Sequence, residues 1–271
     1  MPRFSKSPKV AISMRGEICV GFASLLSFVS MLLLIFVHVG QINTSTVPRN
    51  IAMVKVNMSG YGEALETFIL NPVFGLYTDN ASAPLQQQAG VRELYEFGLY
   101  SYCAYVDDAH GTCSNHTTGQ RYTPYDVITA DMSSNYSILT GPFIPETTFR
   151  DSKYLGQSSR AAYWMLLLGT ICAALALITG IAKNNWTFFV SAIFSIAGSL
   201  LLLIGAAIWT VIIKKSQSIN NILLRLPNSN TTVGLGITVS EGNGLFIAWA
   251  AFVCLFLSII PYMLSCCTYR G

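Results

Sequence analysis

Charge is what this sequence has least of. Asp, Glu, Lys and Arg make up only 11% of its 271 residues, against 52% hydrophobic. A soluble domain carries about 25% charged residues. The shortage is concentrated: Ile18–Gly40, Ala161–Ala182, Trp186–Ile213 and Leu245–Tyr269 contain none of the four. Each run exceeds the ~20 residues that cross ~30 Å of hydrocarbon at 1.5 Å per residue. Four such runs exclude a single soluble core and predict four transmembrane helices.

No acidic or basic side chain therefore lies inside a span; His38 sits at a margin. Transporters, pumps and proton relays keep such groups at membrane depth despite their cost. No set of nucleophiles or metal ligands lies there either. This argues against transport or catalysis within the membrane and leaves a pore lined by the outer loop open. The net charge of +3 is too small to imply nucleic acid. No repeat or low-complexity tract is visible.

The charges that are present set an orientation. Arg3, Lys6, Lys9 and Arg15 precede the first span, with only Glu17 against them, and Gln41–Arg160 holds seven Lys/Arg and eleven Asp/Glu. By the positive-inside rule the N-terminus is cytoplasmic and the long loop is outside. Lys214 and Lys215 break the rule, being outside at the end of span three. The predicted layout is a cytoplasmic tail (1–17), span one (18–40), outer loop one (41–160), span two (161–182), a cytoplasmic turn (183–185), span three (186–213), outer loop two (214–244), span four (245–267) and a cytoplasmic tail (268–271). Span one is too long for a signal-peptide core of ~7–15 residues and has no prompt small-x-small cleavage site, so it is expected to stay as a signal anchor. Asn-x-Ser/Thr acceptors at Asn43, Asn57, Asn80, Asn115, Asn135 and Asn230 all fall outside; Asn185 alone lies in the inner turn. The basic N-terminal residues have two readings, binding anionic lipid headgroups or only orienting span one.

Small residues recur at helical spacing: Ser191, Ser195 and Ser199; Gly169 with Ala173 and Ala176 with Gly180; Ser24, Ser27 and Ser30. Such stripes let helices approach closely, within the bundle or between copies. Pro261 is expected to kink span four. Trp164, Trp186, Trp209 and Trp249 lie near span ends, where indoles anchor at the interface. In the outer loop, residues 51–59 have period-two character. Phe97, Leu99, Ser101, Cys103 and Tyr105 would share one face of a strand. Residues 221–239 suggest two strands around Pro-Asn-Ser-Asn. The fold expected is an all-α membrane protein: a four-helix bundle with a small extracellular antiparallel β-sheet, the second loop adding an edge.

Cys103 and Cys113 are the only cysteines in the outer segments, and the extracellular space is oxidising, so each has one partner for a disulfide. The competing reading, a metal site with His110 and His116, is short of ligands. Cys19, Cys172 and Cys254 read as apolar packers. Cys266 and Cys267 close the last span on the cytoplasmic side; palmitoylation and an unmodified pair both fit.

The stretch Gly98-Leu99-Tyr100…Cys103…Cys113 resembles the Gly-Leu-Trp-x-x-Cys…Cys signature of claudin-like tetraspan proteins, with Tyr100 in place of the tryptophan. The long acceptor-rich first loop, this motif and the glycine-led approach to span four, "GITVSEGNGLFIAWAAF" (236–252), are similar to a fungal tetraspan group. That group includes the cortical-patch (eisosome) membrane proteins and the pH-response protein PalI. The short tail favours the cortical-patch side. The resemblance implies a claudin-like fold and a role in organising plasma-membrane domains, with effects on cell-wall integrity and endocytosis. It implies a structural role for Gly98, Leu99, Tyr100, Cys103 and Cys113, and no cofactor.

Three functions are thus in view. The first is a non-enzymatic organiser whose partners are membrane lipids, other membrane proteins and, through its small-residue faces, itself. The second is an accessory subunit of a channel, a wall-polymer synthase or a pH-sensing receptor. The third is a transporter or enzyme with a site in the outer loop. The carboxylates available to it, Glu93, Glu96, Asp107 and Asp108, are accounted for more simply as a solvated acidic face.

Overall fold

The computed structural model describes the backbone of residues 10–107, 109–146, 149–181, 185–226 and 231–268. It describes the side chains of these except at 10–18, 185 and 265–268. The charge-free runs fold as four long helices: α1 (Val10–Val39), α6 (Ser152–Ile181), α7 (Asn185–Gln217) and α8 (Asn243–Thr268). Each is long and apolar enough to cross a membrane. The 33 residues of α7 span ~50 Å, longer than a ~30 Å hydrocarbon core, and α6 starts nine residues before the charge-free run. The surplus turns belong to a second compact unit. The first unit comprises residues 1–35, 165–204 and 248–271; the second comprises 36–164 and 205–247.

The first unit is a helix bundle packed on small residues. Gly169 of α6 and Gly198 of α7 each bring an α-carbon against the other's carbonyl; a β-carbon on either would sit 3.4 Å from that oxygen. Ala173, Ala176, Ser191, Ser195 and Ser199 are buried among the helices, so these stripes serve packing inside the bundle. Ser27, Ser30 and Ser258 are buried too, and lipid offers hydroxyls no water. Ser30 donates to the Ala251 carbonyl at 2.8 Å, Ser258 to the Leu255 carbonyl at 2.6 Å, and Thr179 pairs with Ser191 at 2.7 Å. α8 continues through Pro261 to Thr268.

The second unit is built on a five-stranded antiparallel sheet. Its strands are β1 (Val54–Asn57), β2 (Leu94–Phe97), β3 (Tyr102–Tyr105), β4 (Gly111–Cys113) and β7 (Thr238–Glu241), in the order β4-β3-β2-β1-β7. β5 (Leu223–Arg225) and β6 (Thr232–Gly234) form a separate antiparallel pair. The second loop supplies an edge strand, as expected. That edge is capped at one residue: the Asn220 side-chain amide accepts from the Val239 N–H at 2.7 Å and donates to its carbonyl at 3.0 Å. Short helices α2 (Thr46–Arg49), α3 (Tyr61–Ile69), α4 (Pro124–Asp131) and α5 (Ser134–Thr140) fill the connections. The glycine-led approach to α8 now has a cause. Gly242 and Gly244 donate to the carbonyls of Met53 and Ala52, and a β-carbon at Gly244 would lie 2.8 Å from the Ala52 oxygen.

Three expectations need correction. Residues 97–105 are not one strand: Phe97 pairs with Tyr102, and 98–101 turn the chain between β2 and β3. Trp209 is no interfacial anchor; it is 1% exposed, with its ring 6.1 Å from that of Tyr122. Glu96 is not part of a solvated acidic face, since Lys55 holds it in the fold at 2.6 Å with 3% of its side chain exposed. Of the other three, Glu93 and Asp107 are exposed, and Asp108 lies outside the described residues. Lys214 and Lys215, the residues that offend the charge rule, are both paired, with Glu241 at 2.7 Å and Asp151 at 2.5 Å.

Candidate functional site

The turn Gly98-Leu99-Tyr100-Ser101 is closed by the Gly98 N–H donating to the Ser101 carbonyl at 2.9 Å. A β-carbon at Gly98 would lie 2.6 Å from the Gly40 carbonyl and 2.9 Å from the Gln41 Cβ. Only glycine lets this turn meet the end of α1. Leu99 is buried. Tyr100 sets its ring edge-on to Tyr163, with centroids 5.3 Å apart, and its hydroxyl is hydrogen-bonded to His38 Nδ1 at 3.1 Å. Burial raises its phenol above the ordinary 10. The tyrosine in the tryptophan position thus has a partner on α1 and another on α6.

Cys103 and Cys113 face each other across β3 and β4 and are joined by a disulfide, with Cα atoms 3.9 Å apart. The bond fixes β4 and the segment that follows it. There the N–H groups of Ser114, Thr117 and Gln120 donate to the carbonyls of Tyr102, Tyr100 and Leu99 at 2.8, 2.8 and 3.2 Å. The disulfide thus anchors the segment whose donors satisfy two carbonyls of the turn and one of β3; a buried carbonyl left unpaired costs ~1–3 kcal/mol. His116 extends the same segment, its Nε2 2.7 Å from the Ile42 carbonyl. His110 does not join it: its ring bonds Asp107 at 2.9 Å, and this bond, with the N–H groups of Ala109 and His110, lowers that carboxyl to about 2. The two histidines serve different contacts, and among the described residues no cluster of three metal-ligating side chains occurs.

The centre of the arrangement is Gln41, which sequence reasoning placed only as the first residue of a loop. It is fully buried and left-handed, with φ +57°. Its Nε2 donates to the Arg49 carbonyl at 2.5 Å and to Glu96 Oε2 at 2.7 Å, and its Oε1 accepts from the Tyr105 hydroxyl at 3.2 Å. Its backbone N–H donates to the Pro48 carbonyl at 2.9 Å, and its own carbonyl accepts from Ser101 Oγ at 2.5 Å. The side chain, N–H and carbonyl of one residue thus tie the end of α1 to α2, β2, β3 and the turn. Lys55, opposite Glu96 in the β1–β2 register, completes the set by neutralising the carboxylate.

A second buried cluster also escaped the sequence. Arg92 and Asp131 pair at 3.3 Å with neither side chain exposed at all. Arg92 also donates to the Ala83 carbonyl, and Asp131 accepts from the Tyr95 hydroxyl at 2.7 Å and the Gln86 N–H at 2.5 Å. Burial raises the Asp131 carboxyl above its ordinary 3.8, against the pull of these bonds. Nothing local marks "GVRELYEF" as the home of a buried ion pair; only the approach of α4 from far along the chain creates it.

Of the other expected sites, Asn43, Asn57, Asn80, Asn115 and Asn135 are all exposed. Arg3, Lys6, Lys9 and Asn230 lie outside the described residues, as do the side chains of Arg15, Asn185, Cys266 and Cys267. The structure therefore joins the motif residues and the cysteines into one polar-and-sulfur framework. A search among curated proteins finds no match. The sequence model of the SUR7/PalI family matches residues 19–261, from the first span through the turn and the clasp to the proline of the last, and the chain belongs to that family.

Proposed function

We propose that the protein is a non-enzymatic organiser of plasma-membrane domains, of the eisosome or cortical-patch kind, affecting cell-wall integrity and endocytosis. The observation that carries this reading is where the sheet unit spends its polar groups. Gln41, Lys55, Glu96, Arg92 and Asp131 bond other parts of the fold, so they brace a framework rather than face a substrate. Membership of the SUR7/PalI family supports it. In this reading the sheet unit faces the wall and carries glycans on its exposed acceptors. Arg3, Lys6, Lys9 and Arg15 meet anionic lipid on the cytoplasmic side, and Cys266 and Cys267 are available there for acylation. Its partners are membrane lipids and other membrane proteins.

The test joins imaging to purification of the tagged, full-length protein. Stationary cortical patches, wall-stress sensitivity on deletion, and lipid with several membrane proteins in substoichiometric amounts after mild detergent are the expected results. One partner recovered at a fixed ratio would make the protein an accessory subunit instead. An even distribution with normal wall resistance in the deletion strain would end the proposal.

A further inference from the structure

The sheet unit turns large apolar side chains outward where no span explains them: Phe74 is 82% exposed, Ile138 74% and Leu139 40%. Single exposed hydrophobics are ordinary, but Ile138 and Leu139 adjoin, and adjoining apolar surface can mark a contact. Ile138 and Leu139 belong to α5. The other face of that helix is fixed: Tyr136 donates to the Phe74 carbonyl at 2.9 Å, and the Thr140 hydroxyl is hydrogen-bonded to that of Tyr61 at 2.6 Å. At 3.6 residues per turn, Asn135 lies on the exposed face between Ile138 and Leu139, one turn earlier, and residues three and four apart are surface neighbours. Asn135 is itself exposed and begins the acceptor Asn-Tyr-Ser. Three other acceptors sit differently: Asn43, Asn57 and Asn80 each accept, through the side-chain oxygen, the backbone N–H of the serine two residues on.

We propose that the occupant of this patch is the N-glycan of Asn135, whose first N-acetylglucosamine rings lie along α5 with their apolar faces on Ile138 and Leu139. Attachment joins Asn135 Nδ2 to the anomeric carbon of an oligosaccharide carried on a lipid pyrophosphate. The amide gives up one proton, and the lipid pyrophosphate leaves. The glycan then has a structural task at Asn135, covering hydrocarbon, in addition to the solubility it lends at the other acceptors. The proposal rests on the reading that this unit faces the cell exterior.

The full-length protein from a glycosylating host, placed in lipid nanodiscs, provides the test. Peptide mass spectrometry reads occupancy at each acceptor, and carbene footprinting reads the exposure of Ile138 and Leu139. Expected are an occupied Asn135 and a severalfold rise in labelling of Ile138 and Leu139 in Asn135→Gln. Labelling of Leu223 should not change, and Asn115→Gln should not raise labelling at α5. Enzymatic trimming of the folded wild type to single sugars gives the same reading without a mutation, with an intermediate rise expected. An unmodified Asn135 beside occupied Asn57 or Asn80 overturns the proposal and leaves the orientation standing. No modified acceptor anywhere overturns both. Labelling that is equal with and without the glycan overturns it as well. So does an occupied wild type that self-associates through the patch and separates on Ile138→Ser, which assigns the surface to a second copy.

Discussion

Gln41 is polar, buried and left-handed, and each of these properties costs something that its hydrogen bonds offset. Gln41→Ala removes the side-chain partner of Glu96, Tyr105 and the Arg49 carbonyl, and unsatisfied buried groups cost ~1–3 kcal/mol apiece. Gln41→Gly relieves the backbone but loses the same bonds. Both should lower the unfolding temperature, with alanine lower than glycine because φ +57° suits glycine. Thermal unfolding in detergent ranks them; glycine no better than alanine would mean that the backbone conformation carries no cost. For the paired acids, Glu96→Gln strands Lys55, and Asp131→Asn strands a fully buried Arg92. The second should be worse, on the order of 3–5 kcal/mol, seen as early proteolysis of the sheet unit. None of this was legible in the sequence, and the reason is physical. A polar residue that ends an apolar run looks the same whether it meets water or a carboxylate. The residues that settle the question, Lys55, Glu96 and Tyr105, come together only when the register of β1, β2 and β3 is known.

The disulfide acts on a whole element, because β4 and the donors beyond it are placed by one bond. A ring this short stabilises by roughly 2–3 kcal/mol on the chain-entropy model, and opening it also frees the carbonyls of the turn. Cys103→Ser and the double Cys103→Ser, Cys113→Ser variant should insert their four helices, whose backbone bonds are internal, yet be held back during export. The single variant should fare worse, since its lone thiol can pair wrongly. Normal surface delivery of both would show that the clasp is dispensable. The start of α6 and the end of α7 carry a pH dependence of known sign. The Lys215 ammonium holds Asp151 below its ordinary 3.8, and Lys214 holds Glu241 below 4.5. Their stabilisation is present above those ordinary values and fades as pH falls through the lowered ones. The wild type should therefore lose resistance to unfolding below about pH 4, and Asp151→Asn should lose part of that dependence. At this scale the sequence read well where period and length were long. It located the four spans, the paired strands β5 and β6, and the edge strand. It ran β2 into β3 because Phe97, Leu99, Ser101, Cys103 and Tyr105 keep a period of two straight across the turn. Alternation does not register a reversal of direction. Gly98, noted there as part of a motif, was the signal of the turn.

For the whole molecule, orientation is the property on which the functional reading hangs. Glycosidase treatment should lower the apparent mass of the native protein, and Asn→Gln at Asn43, Asn57, Asn80, Asn115, Asn135 and Asn230 together should abolish the shift. A shift surviving through Asn185 would turn the protein over. Replacing Arg3, Lys6 and Lys9 with Gln while keeping Arg15 separates lipid attraction, ~1 kcal/mol for each basic residue near the surface, from simple orientation. Dispersal from patches with topology intact is expected if the tail binds lipid; unchanged patches leave it only the orienting task. If copies gather in patches as proposed, their sheet units come close together, and there the Asn220 amide on Val239 would matter. Open strand edges are templates on which neighbours zip up backbone to backbone, irreversibly at high local concentration. This edge already holds a substitute for a neighbour's peptide group, so copies meeting there touch through side chains and part again. A crowd of copies would then be expected to stay fluid along that edge rather than set into a fibre.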